Sequence, residues 1–213
     1  MIIHRALDEV FSARSNIMVM RALKNSQTGL TGREISRIVG VSPKAGLKSL
    51  TLLEDLGIIN RVRGGRDHIF TFNRDNFLVD QGILPLLESE LFFRESLFKD
   101  ITAKLKKYSP GAYLFGSVAR KEETISSDLD ICILYESGVD KSALEKTVSE
   151  IKPKLYVQYG VNIAPLYMQK KEFIRRAKGN KPPVPSIIKD GLTLFGLQLK
   201  QVINAKTVAK DKR

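Results

Sequence analysis

Cysteine is nearly absent. Cys132 is the single one in 213 residues, so no disulfide can close within the chain. It lies in the apolar run Ile131-Cys132-Ile133-Leu134, the setting of a small buried thiol rather than a reactive one. Histidine is almost as scarce, with only His4 and His68, so a thiolate-type metal-sensing site is not supported. Long apolar runs are missing too. No stretch reaches the ~18 apolar residues of a membrane span, and Met1-Ile2-Ile3-His4-Arg5 turns polar before a secretory signal core can form. These absences lead us to expect a cytoplasmic chain without membrane contact. Low-complexity tracts and a fixed-period repeat are also lacking.

Acidic residues are in deficit. The chain carries 35 Lys+Arg against 23 Asp+Glu, a net charge of +12, which favours polyanions such as DNA, RNA or nucleotides as partners. Residues 1–75 hold 12 basic against 7 acidic side chains, so the excess is shared between the two halves. The end of the chain, with Lys206, Lys210, Lys212 and Arg213 against Asp211, reads as a basic tail over 201–213.

What is present divides the chain in two. Leu7, Val10, Phe11, Ile17, Met20 and Leu23 recur mostly at spacings of three and four, predicting a helix over 3–24. Thr31 with Glu34 is a capping-box pattern opening a short helix that Gly40 stops. Ser42-Pro43 supplies a cap and a first-turn proline for a helix ending at Gly57. Two strand-like runs, 58–63 and 68–73, flank Gly64-Gly65-Arg66-Asp67, a hairpin signal. Helix, helix, helix and hairpin is the order of a winged helix-turn-helix. A long helical pattern follows over 84–108, with the domain boundary placed in 75–85, where Asn, Asp, Gly and Pro cluster. Beyond Ser109-Pro110-Gly111 strands and helices alternate. Strands are expected over 112–115, 129–135, within 155–166 and over 192–195. Helices are expected over 116–121, 140–152, 170–178 and 185–190. The fold class is therefore α+β: a winged helix-turn-helix over 1–78, a connecting helix over 79–110, and a mixed sheet with flanking helices over 111–200.

Chemistry concentrates where the strand Tyr113-Leu114-Phe115 ends in Gly116-Ser117. Glycine lets backbone approach a phosphate, a serine hydroxyl can donate to it, and Arg120 adds a charge-assisted contact. Ten residues later come Asp128 and Asp130, two apart on a strand and so on one face. Two carboxylates aimed one way repel unless a cation lies between them, and such hard oxygen donors suit Mg²⁺ beside a triphosphate. By itself, Asp-x-Asp also reads as a solvated strand end with a helix cap at Ser126 or Ser127.

Gly116-Ser117, ten residues and Asp128-Leu129-Asp130 resemble the signature of minimal nucleotidyltransferases of the DNA polymerase beta superfamily, a likeness covering about 111–196. Lys189-Asp190-Gly191-Leu192-Thr193-Leu194-Phe195-Gly196 resembles the end of that domain. The resemblance implies that Gly116 and Ser117 hold nucleotide phosphate, ATP foremost, and that Asp128 and Asp130 bind Mg²⁺ and carry catalysis. It also implies a third carboxylate on a neighbouring strand, where this chain reads Val161-Asn162-Ile163. Asn162 cannot act as a base, and neither Asp190 nor Glu172 belongs to that strand.

The helix from Pro43 turns Gly46, Leu50, Leu53 and Leu56 inward, leaving Ser42, Lys44, Lys48 and Ser49 as groups for the major groove of duplex DNA. Arg61, Arg63 and Arg66 on the hairpin are placed to reach phosphates or the minor groove. Residues 1–75 resemble winged-helix regulators of the arsenic-responsive repressor type through Leu30-Thr31-Gly32-Arg33-Glu34-Ile35, Val41-Ser42-Pro43 and Leu53-Glu54-Asp55-Leu56-Gly57. Three readings follow: a DNA-binding regulator that binds Mg-nucleotide; a transferase that adenylylates a partner protein in a toxin-antitoxin setting and regulates its own gene; and a transferase acting on a small molecule. A homodimer is expected through the first helix or the long helix.

Overall fold

Residues 2–204 are described by the computed structural model, and the basic tail beyond residue 204 lies outside them. Two units, Met1–Phe92 and Phe93–Arg213, each gather their own core.

In the first unit the apolar period over 3–24 gives two helices, α1 (Ala6–Val10) and α2 (Arg14–Lys24), where one was expected. Side chains explain the break. Ser12 Oγ donates to Glu9 O at 2.8 Å, and the buried Asn16 amide donates to Val10 O at 3.2 Å, so polar groups at 12 and 16 satisfy the carbonyls that end α1. β1 (Leu30–Thr31) leads into α3 (Gly32–Val39). The expected capping box is formed: Thr31 Oγ1 accepts from Glu34 N at 3.3 Å, and the Glu34 carboxylate accepts from Thr31 N at 2.8 Å. Gly40, at φ +67°, ends α3, and Ser42 caps α4 (Pro43–Asp55). β2 (Ile59–Gly64) and β3 (Asp67–Phe72) form the hairpin; β1 pairs with β3 as a third strand that sequence periodicity did not show. The result is a winged helix-turn-helix with strand order β1-β3-β2. Its core joins Val19, Met20 and Leu23 to Ile35, Leu50, Leu53, Phe70 and Phe72. Val79 and Ile83 in a π-helical turn (Val79–Ile83), and Leu84 and Leu87 at the start of α5 (Leu84–Leu105), also belong to this core, although they fall in the stretch expected to connect the domains.

The second unit is a mixed four-stranded sheet, order β6-β5-β4-β7, built from β4 (Gly111–Leu114), β5 (Leu129–Tyr135), β6 (Ile163–Gln169) and β7 (Leu192–Gly196). β5 and β6 are parallel; the other pairs are antiparallel. Strand alternation sends Ala112, Leu114, Leu129, Ile131 and Ile133 to one face, where Leu97, Ile101 and Leu105 of α5 cover them with Leu144, Val148, Ile151 and Leu155 of α7 (Lys141–Tyr159). Tyr113, Cys132 and Leu134 turn to the other face, under Phe173 of α8 (Lys170–Lys178), Val184 and Ile187 of α9 (Val184–Asp190), and Leu199 and Val202 of α10 (Leu199–Asn204). Cys132 is buried as expected, and that burial pushes its thiol up to about 12.

One boundary differs from expectation. The helix expected over 140–152 continues through Pro153 to Tyr159, so the strand expected within 155–166 begins only at Ile163. A proline inside a helix costs about 3 kcal/mol. Burying Leu155 returns about 2 kcal/mol. Tyr159 Oη donating to Asp100 Oδ2 at 2.7 Å holds the last turn in place as well. Packing and this bond together override the local preference. Among the described residues no helix is long and apolar enough to cross a membrane.

Candidate functional site

β4 and β5 run side by side, and Phe115 N donates to Asp130 O at 2.9 Å, tying the exit of β4 to the start of β5. The chain then turns into α6 (Gly116–Arg120). Gly116 adopts φ +74°, and a Cβ there would overlap the Asp130 carboxylate. Glycine is thus required for its dihedral and for the closeness of Asp130. Gly116 and Asp130, ten and more residues apart in the chain, are in direct contact. Ser117 follows, half-buried, its carbonyl accepting from Glu122 N at 2.9 Å.

Asp130 is half-buried while Asp128, just before β5, is exposed. Desolvation, then the like charge of Asp128, raises the Asp130 pKa above the ordinary carboxylate value, and Arg120 acts against both. The Arg120 guanidinium donates to Glu122 at 2.7 Å, which raises its own pKa, and it also feels Asp190 and Asp130. Asp190 ends α9, the helix packed on α6. Two hard oxygen donors that repel each other, set against a glycine cradle, fit a divalent cation with phosphate.

The neighbouring strand decides what completes the pair. Leu129 faces Ile163, Asp130 faces Ala164, and Leu129 N donates to Asn162 O at 2.8 Å. Extended by one residue, that register sets Asn162 beside Asp128, on the face shared by Asp128 and Asp130. Among the described residues no cluster of three or more His, Cys, Asp or Glu stands ready for a metal.

The expected DNA-facing set separates into three groups. Lys44 and Lys48 are exposed on α4, and Arg63 and Arg66 are exposed on the hairpin. Ser42 is used as a cap, accepting from Ala45 N at 3.3 Å, and Arg61 is paired with Glu54 at 2.9 Å. Ser49 is a correction: it is buried with Gly46 and Leu50 and donates to Ser15 Oγ at 2.8 Å, so it faces α2 and not solvent. Its small polar side chain suited either side of α4, and only helix packing assigned it. Sequence reading also passed over Arg33 and Arg37, exposed on α3, and Leu47, exposed on α4. Their spacing of four and the apolar residue between Lys44 and Lys48 were the available signals.

Residues 99–182 match the family model described as Polymerase beta, Nucleotidyltransferase. No curated protein matches the chain. Solved structures with likeness include a predicted DNA-binding transcriptional regulator from E. coli, 24% identical, covering 39% of this chain and 84% of that one, at a TM-score of 0.35. A toxin-antitoxin with AMP-PNP is 18% identical over 50% of this chain and 81% of that one, also at 0.35. TrmBL2, an archaeal chromatin protein, is 17% identical over 86% and 72%, at 0.27. Scores this low settle neither fold nor function.

Proposed function

We propose, from the match of residues 99–182 to the family model of polymerase beta nucleotidyltransferases, that the chain is a DNA-binding regulator whose second unit binds Mg²⁺ with a nucleoside triphosphate, ATP foremost. The observation that carries the reading is the contact between Gly116 and Asp130, which supports a phosphate cradle and a carboxylate pair in one place. In this reading Gly116, Ser117 and Arg120 hold phosphate, and Asp128 and Asp130 hold the metal, which neutralises the triphosphate when bound. Asn162 takes the position where a base would stand, so binding outlasts transfer. The DNA-binding domain we propose is 1–78 together with Val79, Ile83, Leu84 and Leu87, which join its core, and it meets DNA through Lys44, Lys48, Arg61, Arg63 and Arg66.

The test is incubation with labelled ATP and Mg²⁺. Binding that disappears in Asp128→Ala and Asp130→Ala, with no label on any acceptor, is the expected result. Label transferred to a protein, dependent on both aspartates, would replace this reading with the second one, an adenylylating transferase of a toxin-antitoxin type; the match to a nucleotidyltransferase family supports only the transfer step of that alternative. For the DNA half, a mobility shift with the promoter of its own gene should weaken on Lys48→Ala and fall steeply with salt. The assembly we propose is a homodimer, and a light-scattering mass at the 23.9 kDa of one chain would exclude it.

A further inference from the structure

We propose that Leu47 reads the DNA sequence by meeting the 5-methyl group of a thymine in the major groove, with Arg33 and Arg37 holding phosphate beside it. This rests on the DNA-binding reading above and names what that surface recognises.

The outward side of α4 carries Lys44, Leu47, Lys48 and Thr51, residues three and four apart. Leu47 is 60% exposed, an apolar side chain between two lysines. A single exposed leucine usually means nothing. Here a second observation accompanies it: Leu47 lines a groove of about 510 Å³, with Leu50 and Phe70 also in its wall. The banks of that groove carry more positive than negative charge, with Arg33 and Arg37 from α3 and Arg61 from β2 against Asp67 from β3. Arg61 is engaged with Glu54, whereas Arg33 and Arg37 form no ion pair among the described residues.

An apolar patch bordered by free guanidinium groups matches the chemistry of a duplex edge, where a thymine methyl is the apolar feature among phosphates. The rest of α4 narrows the choice. From Pro43 to Asp55 it contains no Arg, Asn or Gln, so Lys44 and Lys48 are its groups for guanine and no side chain reads adenine by paired hydrogen bonds. Ser49 is buried, which leaves Thr51 as the exposed small polar group on this helix. Between Lys44 and Lys48 the exposed contact is apolar, and Leu47 makes it.

The experiment selects duplexes from a random library with the full chain. Each thymine of the selected site is then replaced singly by deoxyuridine, which removes only the 5-methyl group. One replacement should weaken wild-type binding about fourfold, the value of one buried methyl. The same replacement should leave Leu47→Ala unaffected, and sites selected by that variant should lose thymine at that position. Arg33→Gln combined with Arg37→Gln should weaken all sequences alike and lower the salt slope by about 1.8. Because the uridine change does not touch the protein, a misfolded variant cannot mask the result. Salt-sensitive binding that tolerates uridine at every position overturns the role of Leu47 alone. Failure to shift any duplex at low salt overturns the DNA-binding reading and this proposal with it.

Discussion

Replacing Gly116 by alanine isolates the contact on which the proposed nucleotide site rests. Alanine at φ +74° costs about 1–2 kcal/mol from the left-handed backbone alone. Its Cβ also overlaps the Asp130 carboxylate, which must leave its rotamer at about 0.5–1.5 kcal/mol more. The backbone cannot relieve the overlap by sliding, because Phe115 N is bonded to Asp130 O at 2.9 Å. The total comes to about 1.5–3.5 kcal/mol. Gly160 provides the control: it sits in the same unit at φ +67° with nothing within 4 Å of an added Cβ, so Gly160→Ala should cost only the backbone part. Urea unfolding of the two variants should differ by about 1 kcal/mol. In an Asp130→Ala background Gly116→Ala should drop to the cost of Gly160→Ala, a coupling that a double-mutant cycle reads directly. Nucleotide binding should be lost in Gly116→Ala and kept in Gly160→Ala. Equal costs for the two glycines, or no coupling to Asp130, would refute the reasoning.

Three further outcomes follow from the same geometry. Because Asp130 has a raised folded-state pKa, its charge destabilises the metal-free fold above that pKa, and the penalty fades as pH falls through it. Asp130→Asn should therefore melt higher than wild type near neutral pH without Mg²⁺, and the gap should close on acidification in a pH series of thermal melts. Asn162→Asp, which places a carboxylate beside Asp128, should raise label transfer from ATP by about 10²-fold; an unchanged rate would show that Asn162 is not what limits transfer. Ser49→Ala should cost about 1 kcal/mol of stability through its lost bond to Ser15 while leaving DNA affinity intact, as denaturation and mobility shifts on the folded variant can check.

How much was legible in the sequence depended on the range of the force involved. Capping chemistry acts within one turn, so Thr31 with Glu34 and Ser42 with Pro43 marked the starts of α3 and α4 before any packing was known. Strand alternation is equally local and placed β5 correctly over 129–135. The helix break at 11–13 escaped detection because the apolar period runs across it, while the deciding bonds come from Ser12 and Asn16. α7 was cut short because Pro153 is a local veto that Leu155 and the Tyr159–Asp100 bond overrule.

The sequence alone marked out the two units and singled out the Gly116-Ser117 and Asp128-Asp130 pairs, since both rest on residue types at short fixed spacings. Tertiary structure decided which of those groups meet. It brought Asp130 against Gly116, set Asn162 in register beside Asp128, and took Ser49 out of solvent while leaving Leu47 in it. Such contacts depend on strand register and helix rotation. Both are fixed by the burial of distant apolar faces, which no window of neighbouring residues contains.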